Sequence, residues 1–141
     1  MSRRELLNFI RRHSLAVVAT TSETGVAQGA VVEFGSSDDL EVIFDTFRSS
    51  RKYENLKREQ RCSFVIGWDG DRTLQYEGIA TELDGADLQR YQSIYFDQVP
   101  EAAKFAEDPG VAFFRVVPTW IRLTDLSVTP WLIEEHTVHS E

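Results

Sequence analysis

Apolar residues Leu6, Leu7, Phe9 and Ile10 recur at the spacing of one helix face, and the preceding Ser2-Arg3-Arg4-Glu5 fits a capping box. Arg11, Arg12 and His13 follow, cations that suit a helix C-terminus. From Leu15 the run Leu15-Ala16-Val17-Val18-Ala19-Thr20-Thr21 predicts a strand buried on both sides. A turn at Ser22-Glu23-Thr24-Gly25 then leads to a second strand through Val31, Val32 and Phe34. The polar run Gly35-Ser36-Ser37-Asp38-Asp39 reads as another turn. A third strand, Leu40 to Thr46, precedes a helix from about Ser50 to Glu59. Cys62, Phe64, Ile66 and Trp68 alternate with Ser63, Val65 and Gly67, and Asp69-Gly70 supplies a hairpin turn into Thr73 to Gly78. Asp84 or Gly85 opens a helix with Leu88, Tyr91 and Tyr95 on one face, and Pro100 to Phe105 predicts a further short helix. The last predicted strand runs from Val111 to Leu126. Pro118 within it argues for an edge position or a bulge, and Gly78 in the fifth strand argues for a bulge or a close backbone approach. The tail from Thr129 to Glu141 has no clear pattern beyond Trp131, Leu132 and Ile133.

Six strands in mostly hairpin order, with helices inserted after the third and fifth, predict a mainly β fold with added helices: a small antiparallel barrel rather than a doubly wound sheet. A chain of 141 residues with 42% hydrophobic and 27% charged residues has the size of one domain, here 1–141 with a core of about 5–126 and a tail of 127–141. No long apolar run or cleavage site suggests secretion or membrane spanning. The only cysteine, Cys62, lies in an apolar stretch and reads as a buried, inert thiol, so a cytoplasmic location is the default. The net charge of -8 disfavours nucleic-acid and anionic-membrane partners over most of the surface, and makes a local cluster of cations more informative.

Such a cluster occurs at Arg48-Ser49-Ser50-Arg51-Lys52. Three cations and two hydroxyls stand where a helix begins, with no acid until Glu54, although a helix N-terminus favours anions. Free backbone N–H groups, hydroxyl donors and fixed positive charge together form a receptor for a phosphate, with Arg51 able to hold two oxygens. The alternative is a solvated loop in which Ser50 is an ordinary N-cap. No His, Cys and Asp spacing matches a metal site, and no Gly-x-Ser-x-Gly links a hydrolytic triad, so no catalytic acid, base or nucleophile is named. His13 ends a helix, and His136 and His139 lie in the unpatterned tail.

The chain resembles the pyridoxamine 5'-phosphate oxidase-like FMN-binding split barrels. The resemblance rests on four features: the N-terminal helix followed by Leu15 to Thr21; Gly25-Val26-Ala27-Gln28 leading into Val31-Val32; Ile43-Phe44-Asp45-Thr46 followed by Ser50-Arg51-Lys52 and Leu56; and Arg72 to Ala80. They stand in the family's order, and the third is the most specific. The resemblance implies a six-stranded split barrel in which Ser50, Arg51 and Lys52 bind the FMN phosphate. Asp45 and Thr46 would then lie along the ribityl chain or ring edge, and the backbone near Val31 and Val32 would meet the polar edge of the isoalloxazine. Thr73 falls where relatives offer a side-chain amide, a departure for which Gln75, two residues on, is the substitute; Gln75 also reads as a solvated strand residue. The resemblance further implies a homodimer with two interfacial flavins. Trp120 is a candidate to pack near the partner's flavin, or else plain core or interface.

On this basis the expected function is FMN-dependent oxidation or reduction of a small molecule. A non-catalytic flavin-binding or flavin-sensing module, and a relative using deazaflavin or haem, are the alternatives. Pyridoxamine phosphate oxidation itself is not expected, because the chain ends with Glu134, Glu135 and Glu141 where such enzymes carry a longer basic C-terminal region.

Overall fold

The computed structural model describes residues 2–138; His139 and Glu141 lie outside them. Helix α1 (Arg3–Arg11) begins as the capping pattern predicts, with the Glu5 N–H donating to the Ser2 hydroxyl at 3.1 Å. It buries Leu6, Leu7, Phe9 and Ile10. A Cβ on Gly67 would stand 2.7 Å from Phe9 Cζ and 2.9 Å from His13 Nε2, so the helix packs directly on this glycine, whose φ is +75°. The turn after β5 therefore spans residues 67–71, with Gly67 rather than Gly70 in the left-handed conformation.

Eight strands form one antiparallel sheet: β1 (Leu15–Thr21), β2 (Ala27–Glu33), β3 (Gly35–Ser36), β4 (Val42–Phe47), β5 (Arg61–Ile66), β6 (Arg72–Glu82), β7 (Val111–Asp125) and β8 (Leu132–Thr137). Their order is β2-β1-β5-β6-β7-β4-β3, with β8 also paired to β7. β7 is the spine. It pairs with β6 along most of its length, with β4 over Val111–Val116 and with β8 over Trp120–Asp125. The sheet curls into a half-barrel, the split-barrel class expected from the sequence.

Two strands go beyond the six expected. β3 is two residues long and sits in the polar run read as a turn. β8 lies in the tail, where the half-buried positions are the polar Glu134 and His136 and no alternation of apolar and polar residues develops. β4 starts at Val42 rather than Leu40, because residues 37–41 close a turn. In it Ser37 N–H donates to the Glu41 carbonyl at 3.0 Å and Leu40 takes a φ of 64°.

The bulge appears where Gly78 and Pro118 face each other: Glu77 pairs with Trp120 and Gly78 with Pro118, leaving Thr119 extra. A Cβ at Gly78 would lie 2.6 Å from the Val117 carbonyl oxygen, so the close backbone approach is present too.

Inside the half-barrel, Phe44, Phe64, Tyr76 and Phe114 centre the larger core. A second core gathers Ile43, Tyr91, Tyr95 and Phe113 under α3 (Gly85–Gln98) and a 3-10 helix (Pro100–Phe105). Cys62 is buried as expected, and burial pushes its thiol up to about 12. No helix among the described residues is long and apolar enough to cross a membrane.

Candidate functional site

Between β4 and β5 the chain forms α2 (Arg51–Arg58), whose sequence carries a single strongly apolar anchor, the buried Leu56. Ser50 caps it. Its hydroxyl donates to the Phe47 carbonyl at 2.8 Å, accepts the Tyr53 N–H at 3.3 Å and lies 2.8 Å from the Thr46 hydroxyl. The ordinary capping role thus accounts for the Ser50 side chain, while the backbone N–H groups of Arg51 and Lys52 are first-turn amides without intrahelical acceptors.

Arg48 does not join the expected cluster. Its guanidinium donates to Glu82 at 2.7 Å, to the Tyr53 hydroxyl at 2.9 Å and to the Pro109 carbonyl at 3.0 Å. Tyr53 and Lys57 also donate to Glu82, at 2.9 and 3.3 Å. Burial pushes the Glu82 carboxyl upward, but the hydrogen bonds from Arg48, Tyr53 and Lys57 outweigh it and hold the group below its ordinary range. Three cations were expected to converge; the structure commits one to an internal clamp and leaves Arg51 and Lys52, neither of which forms an ion pair among the described residues.

Those two cations border two depressions. Arg51 and Lys52 stand over a pocket of about 90 Å³ floored by Val18, Thr20, Gln28, Gly29 and Ala30. Lys52 also lines a cleft of about 260 Å³, together with Val31, Val32, Asp45 and Thr46. The 3-10 helix supplies the opposite wall with Glu101, Lys104 and Phe105, and Glu33 stands at the end of β2. Six of the ten predicted site residues therefore meet around Lys52, and Ser50 adjoins them through Thr46.

The cleft holds one polar atom without a partner. Asp45 Oδ2 is buried and accepts no hydrogen bond. Burial, and then the neighbouring Glu33 carboxylate, raise the Asp45 pKa above its ordinary value of 3.8, against the pull of Tyr95 and Lys52. Burial likewise lowers Lys52, with Asp45 opposing. An unsatisfied buried acceptor is costly, and a ligand hydroxyl donor would satisfy it.

Thr73, Gln75 and Trp120 lie elsewhere in the same chain. They project to the outer face of the sheet, where Gln75 is exposed between Val65 and Arg122, Thr73 faces Thr124, and Trp120 faces Glu77. Val31, Val17, Val65 and Gln75 form one cross-strand row on that face. Val31, 60% exposed, belongs both to this open face and to the cleft. Sequence reasoning missed Glu33, Glu101, Lys104 and Phe105, since no motif marks them and only tertiary packing brings the 3-10 helix to β4.

Two comparisons bear on this architecture. The family model described as pyridoxamine 5'-phosphate oxidase matches residues 2–125. Among solved structures, a heme binding protein from Mycobacterium smegmatis is similar at TM-score 0.83 and 16% identity, over 97% of this chain and 58% of that one, so this chain spans little more than half its length. General Stress Protein 26 from Bacillus anthracis is similar at TM-score 0.74 and 16% identity, over 96% and 98% of the two chains. HutZ, the heme storage protein from Vibrio cholerae, is similar at TM-score 0.66 and 13% identity, over 82% and 88%. At these identities the likenesses concern the fold. No curated protein matches the chain.

Proposed function

Since the chain belongs to the pyridoxamine 5'-phosphate oxidase family, we propose that it binds FMN at the start of α2 and acts as a flavin-dependent oxidoreductase on a small molecule. The observation that carries this reading is the pair Arg51 and Lys52, neither held in an ion pair among the described residues and both set beside free first-turn amides and a small pocket. A phosphate fits that corner. The unsatisfied Asp45 Oδ2, one step along the cleft from Lys52, fits a ribityl hydroxyl donor. FMN, when bound, supplies reversible hydride acceptance; the protein's share is binding, orientation and exclusion of water.

The cleft has only about 260 Å³, below the usual range for a cofactor site, and it opens at Val31 onto an uncovered sheet face. A second copy of the chain laid on that face would complete the site. Thr73, Gln75 and Trp120 would then approach the partner's flavin rather than their own chain's. A homodimer is therefore part of the proposal.

Haem binding is the second reading, favoured by the two structural neighbours whose names state it. Against it, the cleft lining contains no histidine, cysteine, methionine or tyrosine to hold the iron. Purified protein titrated separately with FMN and with hemin tests the two. The proposal expects flavin absorbance to co-purify with the protein or to be taken up. A protein that stays colourless with FMN but develops a Soret band with hemin overturns it. Rapid bleaching of bound flavin by NADH or NADPH would mark an enzyme, and its absence a flavin-binding module.

A further inference from the structure

We propose that Asn55 is the positioning residue of the phosphate corner, setting the rotation of α2 so that Arg51 and Lys52 face the pocket over Gly29 and Ala30. This assignment rests on the FMN reading and names a residue that acts through other side chains.

Only Asn55 and Leu56 of α2 are buried. The apolar contact of Leu56 has no preferred direction, and Tyr53 and Lys57 tie the helix to Glu82 on the β6 side only. Asn55, 5% exposed, supplies the directional contact on the side of β1 and β2. Its Nδ2 donates to Thr20 Oγ1 on β1 and to Gln28 Oε1 on β2, both at 2.9 Å. Its Oδ1 accepts from Arg58 at 3.2 Å, and Arg58 also donates to the Thr21 carbonyl at 3.1 Å. The amide's two donor hydrogens and its oxygen are all used, so the group has one orientation against two strands.

Arg51 stands four residues before Asn55 and shares its helix face. The bond partners of Asn55, Thr20 and Gln28, are themselves part of the floor under Arg51 and Lys52. One network therefore fixes both halves of the pocket: the strands that floor it and the helix that carries its charges. A leucine at position 55 would bury comparable volume and hold the helix to the sheet, but would leave its roll fixed from the Glu82 side alone and the Thr20 and Gln28 side chains without this partner.

The test compares FMN with riboflavin, which lacks the phosphate, by quenching of flavin fluorescence in wild type, Asn55→Leu, Thr20→Val and Arg51→Ala. Near-UV circular dichroism establishes that each variant is folded. Asn55→Leu is expected to weaken FMN about tenfold, the effect of misplacing one charge-assisted contact, while riboflavin changes less than about twofold. Thr20→Val, which removes one of the two anchors, moves the FMN-to-riboflavin ratio in the same direction by a smaller factor. It keeps the test available if the leucine variant does not fold. In the double variant with Arg51→Ala, the loss of FMN preference is less than additive. Parallel weakening of both flavins, or no change in the ratio, makes Asn55 a stability residue only and overturns the proposal. A wild type that does not prefer FMN over riboflavin instead overturns the phosphate reading itself, and the wild type alone reveals that case.

Discussion

The bulge between β6 and β7 allows a sharp test of how closely this barrel is wound. Replacing Gly78 with alanine adds a methyl 2.6 Å from the Val117 carbonyl oxygen and 2.7 Å from Val116 Cγ1. Ordinary contact begins at 3.4 Å, so one strand must retreat by about 0.8 Å. The nearest atom belongs to backbone, which is held by the β6–β7 ladder on both sides of the bulge, so no side-chain rotation relieves it. Forced overpacking of this kind costs about 1–3 kcal/mol, or about 3–10 °C of melting temperature for a chain of this size. Thermal and urea unfolding of Gly78→Ala against Gly70→Ala measures it. Gly70 lies in the turn with nothing within 4 Å of an added Cβ, so its replacement is expected to be neutral within about 0.5 kcal/mol. If the two variants melt together, the close approach at Gly78 does not exist in solution and the bulge is misplaced.

Three further outcomes are expected. FMN at about 100 times its dissociation constant stabilises wild type by about 2.7 kcal/mol, or about 8 °C; thermal-shift assays on the Arg51→Ala, Lys52→Ala double variant should show most of that gain gone, and an undiminished shift would remove these cations from the site. Glu82 has a folded-state pKa below its unfolded value, so its contribution is present above the ordinary 4.5 and lost as pH falls through the lower folded value. Glu82→Gln should therefore depress the melting temperature at neutral pH and much less in acid, and an equal loss at both would exclude the ionised clamp. Asp45 has the opposite sign: its raised pKa makes ionisation cost stability as pH climbs from 3.8 through the folded value. Asp45→Asn should then melt higher than wild type at neutral pH without ligand while binding FMN less well; a lower melting temperature would show that the carboxylate has a partner in the free protein.

The fold was legible where burial has a period. β1 is bounded as its apolar run predicted but is fully buried on one face only, not on both, because its other face lies on the open side of the sheet; α1 begins after its cap Ser2, α3 begins at Gly85, and the Gly78 and Pro118 irregularities coincide in one bulge. β8 was not legible because its half-buried positions, Glu134 and His136, are polar while Leu132 and Ile133 are 47% and 46% exposed, so burial and apolarity do not coincide. Asp69-Gly70 falls in the bend between β5 and β6 as read, whereas the positive φ at Gly67 was not legible. Asp69-Gly70 has the local chemistry of a tight turn, but the approach of Phe9 and His13 requires the residue without a Cβ to be Gly67. In the site, the run from Arg48 to Lys52 signalled a charge anomaly without revealing which cation had a partner. Glu82, the residue that claims Arg48, is 34 positions away and reaches it only through the sheet.

That sorting of the cations sharpens the argument for a phosphate. Positive charge at a helix N-terminus is unfavourable unless something answers it. Arg48 is answered by Glu82 and Tyr53, whereas among the described residues Arg51 and Lys52 form no ion pair and Lys52 has the Asp45 carboxyl in its vicinity, although the protein has eight more acidic than basic groups to draw upon. Two cations without an ion pair beside open amides thus support the proposal of a site for an anion supplied from outside. The neighbouring cleft favours one kind of anion over another. Beyond Lys52 its wall carries Glu33, Asp45 and Glu101, with the Asp45 oxygen lacking a donor. On the FMN proposal, a ribityl chain would bring hydroxyl donors to that wall with its phosphate held at Arg51 and Lys52. A porphyrin would bring two carboxylates and an apolar ring but no hydroxyl donor, leaving the Asp45 acceptor unsatisfied.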